Sequence, residues 1–161
     1  MTDAVPGRQR LASVTLDEAS IGRASADQEH ERAVAIYDIL EGNRFGLPGH
    51  EGGPYALRLG LQDSRLVFDV RDEADRSLVA HHLSLTPFRR VIRDYEMVCD
   101  SYFQAIRTST SAQIEAIDMG RRGLHDEAAE LLRQRLDGKI DVDFATARRL
   151  FTLIFALHWK G

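Results

Sequence analysis

The chain has 161 residues, a length typical of a single domain, and its content of 43% hydrophobic and 29% charged residues is ordinary for a globular protein. The net charge of −4 argues against general nucleic-acid binding. The longest strongly apolar run, residues 150–157, is too short to span a bilayer and argues against a membrane protein. No charged-then-apolar leader opens the chain, and Cys99 has no second cysteine for an internal disulfide, so we expect a cytoplasmic protein.

The first third of the chain is predicted to contain a tail, a strand, a helix and a long loop. Residues 1–10 are polar and predict a flexible tail, and residues 11–16 predict a short strand. Ser25 with Gln28 three positions later forms a capping box, which predicts the start of a helix. Residues 42–54 contain five glycines and two prolines and predict an irregular loop, a kind of segment that often carries function.

Residues 55–85 are predicted to form three antiparallel strands, because apolar and polar residues alternate along them. A two-residue turn at Asp63 and Ser64 would join the first two strands. This turn places Arg58 opposite Asp69, an attractive pair of charges across the two strands. The same register aligns three apolar pairs on the other face: Leu61 with Leu66, Leu59 with Phe68, and Leu57 with Val70.

The rest of the chain is predicted to be helical. Helices are expected to begin at four capping positions: Thr86, Thr110, Asp126, and either Asp141 or Asp143. Gly123 is predicted to break the second helix, so that residues 112–136 form a helical hairpin of either tetratricopeptide or ordinary type. Residues 150–159 are apolar on nearly all sides, which places the last helix either in the centre of the core or at a subunit contact. The second alternative predicts a homodimer through the C-terminal helix.

Together these elements predict one α+β domain over residues 11–161. Most strands precede most helices, as in α+β rather than α/β proteins. We expect a three- or four-stranded antiparallel sheet packed against a layer of three to four C-terminal helices.

Four separated segments resemble one bacterial family. They are residues 49–55 (GHEGGPY), 83–90 (LSLTPFRR), 114–125 (IEAIDMGRRGLH) and 147–153 (ARRLFTL). On these segments the chain resembles the bacterial uncharacterised protein family 0262, from about residue 16 to residue 161. The resemblance implies a small bacterial protein of this size, and it brings no established activity, cofactor or catalytic residue.

An anion site is the main functional candidate. Arg89, Arg90 and Arg93 lie in the first two turns of the helix that Thr86 opens, where positive charge opposes the helix dipole unless an anion offsets it. The glycine-rich loop would complete this site if it folded over the helix start. The predicted ligand-binding residues are therefore His50, Gly52, Gly53, Thr86, Arg89, Arg90 and Arg93.

An alternative explains the same arginines without a ligand. Arg90 would then pair with Asp94, and Arg93 would pair with Glu96, along the surface of the helix.

Metal and nucleophile chemistry have weaker support. His81 and His82 are neighbours on a strand and point to opposite faces, and no histidine pair has the spacing of a helical zinc site, so we expect no metal and no cofactor. Cys99 falls on the apolar stripe of its helix and predicts a buried, inert thiol.

These observations favour a cytoplasmic, non-enzymatic binding or regulatory protein that recognises a protein partner or an anionic ligand. The alternative is a small enzyme that acts on a phosphorylated or carboxylated metabolite, with His50 as acid or base.

Overall fold

The computed structural model of the chain describes residues 8–158. Residues 1–7 of the predicted tail and Trp159 of the last predicted helix lie outside the described residues. The backbone of residues 8–10 is hydrogen-bonded to residues of the folded domain. The Phe45 N–H donates to the Gln9 carbonyl and the Tyr55 N–H donates to the Arg10 carbonyl, each at 2.9 Å.

The elements of the described chain form a four-stranded sheet, a two-stranded sheet and five α-helices. In chain order they are β1 (Leu11–Leu16), α1 (Glu18–Ile21), α2 (Ala26–Glu41), β2 (Phe45–Gly46), β3 (Tyr55–Gln62), β4 (Arg65–Arg71), β5 (Ser77–Ser84), a short 3-10 turn (Thr86–Phe88), α3 (Arg89–Thr108), α4 (Ser111–Leu136), β6 (Asp141–Val142) and α5 (Phe144–His158). This composition confirms the α+β class.

The hairpin of β3 and β4 has the predicted register. Arg58 pairs with Asp69, and the three predicted apolar pairs also face each other. Asp63 and Ser64 form the turn with φ angles of 50° and 61°, the conformation that a tight two-residue hairpin turn requires at both positions.

The four-stranded sheet is mixed, so the prediction of an antiparallel sheet was wrong for one strand. The order is β1-β3-β4-β5, and β1 runs parallel to β3. The chain between these two strands contains α2, and a long connection with a helix lets it return to the same end of the sheet before β3 begins. A separate two-stranded pairing joins β2 to β6.

The core lies between one face of the sheet and the helices. Its largest fully buried side chains are aromatic residues from both layers: Phe45, Tyr55, Phe68, Phe88 and Phe151. Each such burial contributes roughly 1.5–3 kcal/mol relative to exposure. The opposite face of the sheet is largely open to solvent, where Arg58, Gln62 and Arg65 are exposed.

Helix α5 lies in the core, the first of the two predicted alternatives. Its apolar residues Leu150, Phe151, Leu153 and Ile154 are at most 1% exposed within the single chain. The predicted homodimer through this helix loses its basis, because these side chains are already covered by the rest of the same chain.

Helix α4 is one continuous helix, so the predicted break at Gly123 was wrong. Gly120 and Gly123 both lie inside it, and a methyl group added at either position would meet no atom within 4 Å. A solvent-facing glycine weakens a helix but does not end it unless the backbone leaves the helical conformation. The chain leaves that conformation at Asp137, where ψ is 130°, and Gly138 follows with a φ of +78°.

We predict opposite effects of the same substitution at these glycines. Gly123→Ala should raise the free energy of unfolding by about 0.5–1 kcal/mol, because alanine favours a helix interior. Gly138→Ala is the matched control: it has equal space around it, but its left-handed backbone should lower stability by about 1 kcal/mol. Urea unfolding measures both. Destabilisation by Gly123→Ala would contradict a continuous α4.

Candidate functional site

A cleft lies between the β3–β4 turn and the first turns of α3. The Leu85 N–H donates to the Ser64 carbonyl at 3.2 Å and fixes the turn beside the chain that enters α3. On the other side, the Leu61 N–H donates to Ser20 Oγ of α1 at 3.0 Å. The cleft has a volume of about 600 Å³ and is lined by Ser20, Leu61, Gln62, Asp63, Ser64, Leu85, Arg89, Ile92, Arg93 and Glu96.

The predicted arginines differ in their partners. Arg90 pairs with Asp94 at 3.1 Å, as the alternative predicted, and with Glu127 of α4 at 2.8 Å. Arg89 and Arg93 are exposed side chains in the wall of the cleft. Within residues 8–158 neither of them forms a salt bridge, and the predicted pair of Arg93 with Glu96 is not made.

Thr86 does not cap α3, so this part of the prediction was wrong. A 3-10 turn over Thr86–Phe88 comes first, and α3 begins at Arg89 without a side-chain cap. The Thr86 N–H donates to Ser84 Oγ at 3.3 Å instead. Pro87 lies in this turn, which continues directly into α3 because Phe88 already has helical backbone angles.

The glycine-rich loop lies at the other end of the sheet from these arginines. His50, Gly52 and Gly53 precede Tyr55, the first residue of β3, whereas the cleft lies beside the last residues of that strand. Strand β3 separates the two regions by roughly 23 Å at about 3.3 Å per residue. The structure therefore does not bring the loop and the arginines into one pocket.

The loop closes on its own chain. His50 Nδ1 accepts from the Gly52 N–H at 3.1 Å and lies 3.0 Å from Tyr55 Oη. A methyl group at Gly52 would overlap the His50 ring. At Gly53 the φ angle is +111°, and a methyl group would overlap the Arg8 carbonyl. These contacts explain both glycines without a ligand.

A buried polar network links α4 to α5, and the sequence predictions missed it. His125 is only 8% exposed; its Nδ1 accepts from Arg148 Nε at 3.2 Å, and its Nε2 lies 2.8 Å from Thr152 Oγ1. Because a guanidinium only donates hydrogen bonds, the ring proton is on Nε2 and is donated to Thr152. Thr152 Oγ1 in turn donates to the Arg148 carbonyl at 3.1 Å.

The electrostatics of this network keep His125 neutral. Burial and, after it, the nearby Arg148 guanidinium lower the pKa of His125 to about 4. Arg148 also pairs with Asp126 at 3.0 Å. A histidine that activates a hydroxyl nucleophile has a carboxylate at its second nitrogen, whereas His125 has a cation there. The arrangement therefore supports packing of α4 against α5 and not nucleophilic catalysis.

A second polar group lies between α3 and α4. Burial raises the pKa of Tyr95 to about 12, and burial also raises the pKa of the neighbouring Cys99 thiol. Cys99 is half-buried, so it is less covered than the predicted buried thiol. A raised thiol pKa means little reactive thiolate at neutral pH, which agrees with the prediction of an inert cysteine. Arg121 pairs with Asp118 and stacks over the Tyr102 ring at 4.7 Å.

Residues 8–158 contain no group of three or more His, Cys, Asp and Glu side chains that could hold a metal ion. None of the helices in the same residues has both the length and the apolar content needed to cross a membrane.

Comparison with known proteins places the chain in a family. The model of an uncharacterised protein family, UPF0262, matches residues 8–160. The chain belongs to the uncharacterised protein family UPF0262. This confirms the resemblance found in the four sequence segments.

Its UPF0262 relatives match it over nearly their whole length. A UPF0262 protein of Methylobacterium radiotolerans is 64% identical over 161 residues, which is 100% of both chains. A relative from Azorhizobium caulinodans is 62% identical over 97% of this chain and 98% of its own. One from Nitrobacter winogradskyi is 61% identical over 96% of this chain and 92% of its own. No solved structure matches the chain.

We predict that His125 makes the stability of the protein depend on pH. Its pKa is about 4 in the folded chain and 6.5 ordinarily, so below pH 6.5 the unfolded state binds a proton that the folded state excludes. The free energy of unfolding should therefore fall by roughly 3 kcal/mol as the pH drops from 6.5 to 4.

Urea unfolding across this pH range measures the effect. His125→Gln should be less stable at neutral pH than the wild-type protein. Its free energy of unfolding should, however, fall less between pH 6.5 and 4, because the contribution of His125 is gone. His82→Gln, which replaces an exposed histidine, is the control and should keep the decline. An unchanged pH slope in His125→Gln would show that His125 is not the group responsible.

Proposed function

We propose that this UPF0262 chain is a cytoplasmic, non-enzymatic binding protein that receives an anionic group in the cleft between the β3–β4 turn and α3. The group is a phosphate or a carboxylate, carried by a small molecule or by a protein partner. The observation that carries the proposal is that Arg89 and Arg93 line the cleft without a salt bridge in the described chain, while Arg90 between them has two.

The spacing of the two arginines suits this role. Residues four positions apart lie on one face of a helix, so both guanidinium groups can reach the same ligand. A guanidinium presents a planar set of donors that matches phosphate and carboxylate oxygens with two hydrogen bonds at once.

The cleft is not uniformly positive. Asp63 and Glu96 line it as well, and neither carboxylate forms a salt bridge with Arg89 or Arg93 in the described chain. We therefore expect a ligand whose anionic group lies at the arginines and whose remaining surface offers hydrogen-bond donors to these carboxylates. Leu61 and Ile92 supply the apolar part of the lining.

The enzymatic alternative has less support. It requires His50 to act on a substrate held by the arginines, and the length of β3 lies between them. His50 already uses Nδ1 for the Gly52 amide. A binding role needs only the cleft, which is why we favour it.

We predict that Arg89→Gln and Arg93→Gln each weaken anion binding about tenfold, since a hydrogen bond to a charged group contributes roughly 1.5–3 kcal/mol. Isothermal titration with pyrophosphate, citrate and an acidic hexaglutamate peptide measures this and separates small-molecule from peptide recognition. Arg90→Gln is the matched control, because it removes the same charge from an exposed arginine with partners of its own, and its affinity should stay within about twofold.

Two outcomes would contradict the proposal. One is the absence of binding by any of the three probes to the wild-type protein. The other is an equal loss of affinity in Arg90→Gln, which would indicate a diffuse effect of charge and not a defined site. Hydrolysis of phosphate or carboxylate esters that disappears in His50→Gln would instead favour the enzymatic alternative.

A further inference from the structure

Strand β5 is an unusual edge. It is the last strand of the sheet and, among the described residues, no other strand pairs with its outer side. Its eight residues, Ser77–Ser84, include no charged residue and no proline, and Leu78, Ala80 and His82 are exposed. Proteins usually protect such edges with charges, prolines or short strands, because unpaired N–H and C=O groups recruit another strand.

The two ends of this edge carry opposite charge. The turn that leads into β5, residues 72–76, has three carboxylates (Asp72, Glu73, Asp75) and one guanidinium (Arg76). Asp72 pairs with Arg76 and Asp75 pairs with Arg71, so Glu73 is the carboxylate of this turn that has no salt bridge within the described residues. At the far end of β5 lies a second cleft of about 550 Å³, here called the basic cleft. It has three cations (Arg65, Arg135, Lys139) and one carboxylate (Asp137).

We propose that β5 is a self-association surface, on which a second copy of this chain adds its own β5 in antiparallel orientation. A two-fold axis near Ala80, at the middle of the strand, would join the two sheets into one of eight strands. Antiparallel pairing brings each acidic turn against the basic cleft of the other copy, twice by symmetry. Parallel pairing would instead place like charges together.

The strand itself suits self-pairing. Like charges directly opposite each other destabilise a pair of strands, and a strand without formal charge avoids this in every register. Leu78 is 36% exposed in the single chain, and pairing would bring it beside the second copy's β5. The basic cleft adjoins the cleft of Arg89 and Arg93 at residues 84–87 but shares no lining residue with it, and the self-association does not depend on the proposed ligand.

Sedimentation equilibrium of the full chain tests the proposal. The wild-type protein should be a dimer, and Ala80→Lys should raise the dimer dissociation constant about tenfold or more, because two ammonium groups would lie near the axis. Thr15→Lys is the matched control: it adds the same charge at an exposed position on β1, the other edge strand, and should leave the constant unchanged.

A charge exchange tests the orientation independently of whether Ala80→Lys folds. Glu73→Lys or Arg135→Glu alone should raise the dissociation constant about threefold at low salt, and the double variant should restore it. A wild-type monomer at every accessible concentration, or a dimer that Ala80→Lys leaves intact in folded protein, would overturn the proposal. So would a monomer that binds the hexaglutamate peptide at β5, which would assign the edge to an acidic partner.

Discussion

The hydrogen bond from the Leu85 N–H to the Ser64 carbonyl fixes the β3–β4 turn beside the start of α3, and the candidate site depends on this contact. It closes one side of the cleft, and α1 closes another through Ser20. The glycine-rich loop is not part of this site. The loop before β3 is held at the opposite end of the same strand, so its glycines and His50 serve the local fold and not the arginines.

The helical layer combines an apolar centre with a few satisfied polar groups. Helix α5 buries Leu150, Phe151, Leu153 and Ile154 within the chain, whereas its Thr152 is exposed. The His125 network then joins α5 to α4, and both ring nitrogens of His125 have a partner in α5. A buried polar group that is fully paired costs little, but its protonation would place a second cation beside Arg148. This is why the network favours a neutral imidazole.

Local signals predicted the parts of the fold that depend on neighbouring residues. The hairpin register was predictable because the turn at Asp63 and Ser64, the apolar alternation and the pair of Arg58 with Asp69 all required the same alignment. The parallel pairing of β1 with β3 was not predictable. The connection between these strands is long, and a local sequence pattern does not determine in which direction the second strand runs. Gly123 misled the prediction, since only its backbone angles decide whether a glycine ends a helix.

The candidate site was also predicted only where local sequence determines the structure. Arg89 and Arg93 were identified from their place in one helix, where a local argument applies. Their separation from His50, Gly52 and Gly53 follows from the length of β3, because the loop lies at the start of this strand and the cleft lies at its end. The partners of His125 could not be predicted, because Arg148 and Thr152 lie 23 and 27 positions away along the chain.

Membership of UPF0262 supplies no activity, so the functional account depends on the chemistry of the cleft. An amide NMR titration of the wild-type protein with pyrophosphate tests that account most directly. The account predicts shifts confined to residues 61–64 and 85–96, saturating with a single affinity. Shifts centred on residues 49–54, or uniform small shifts across all exposed arginines, would contradict it.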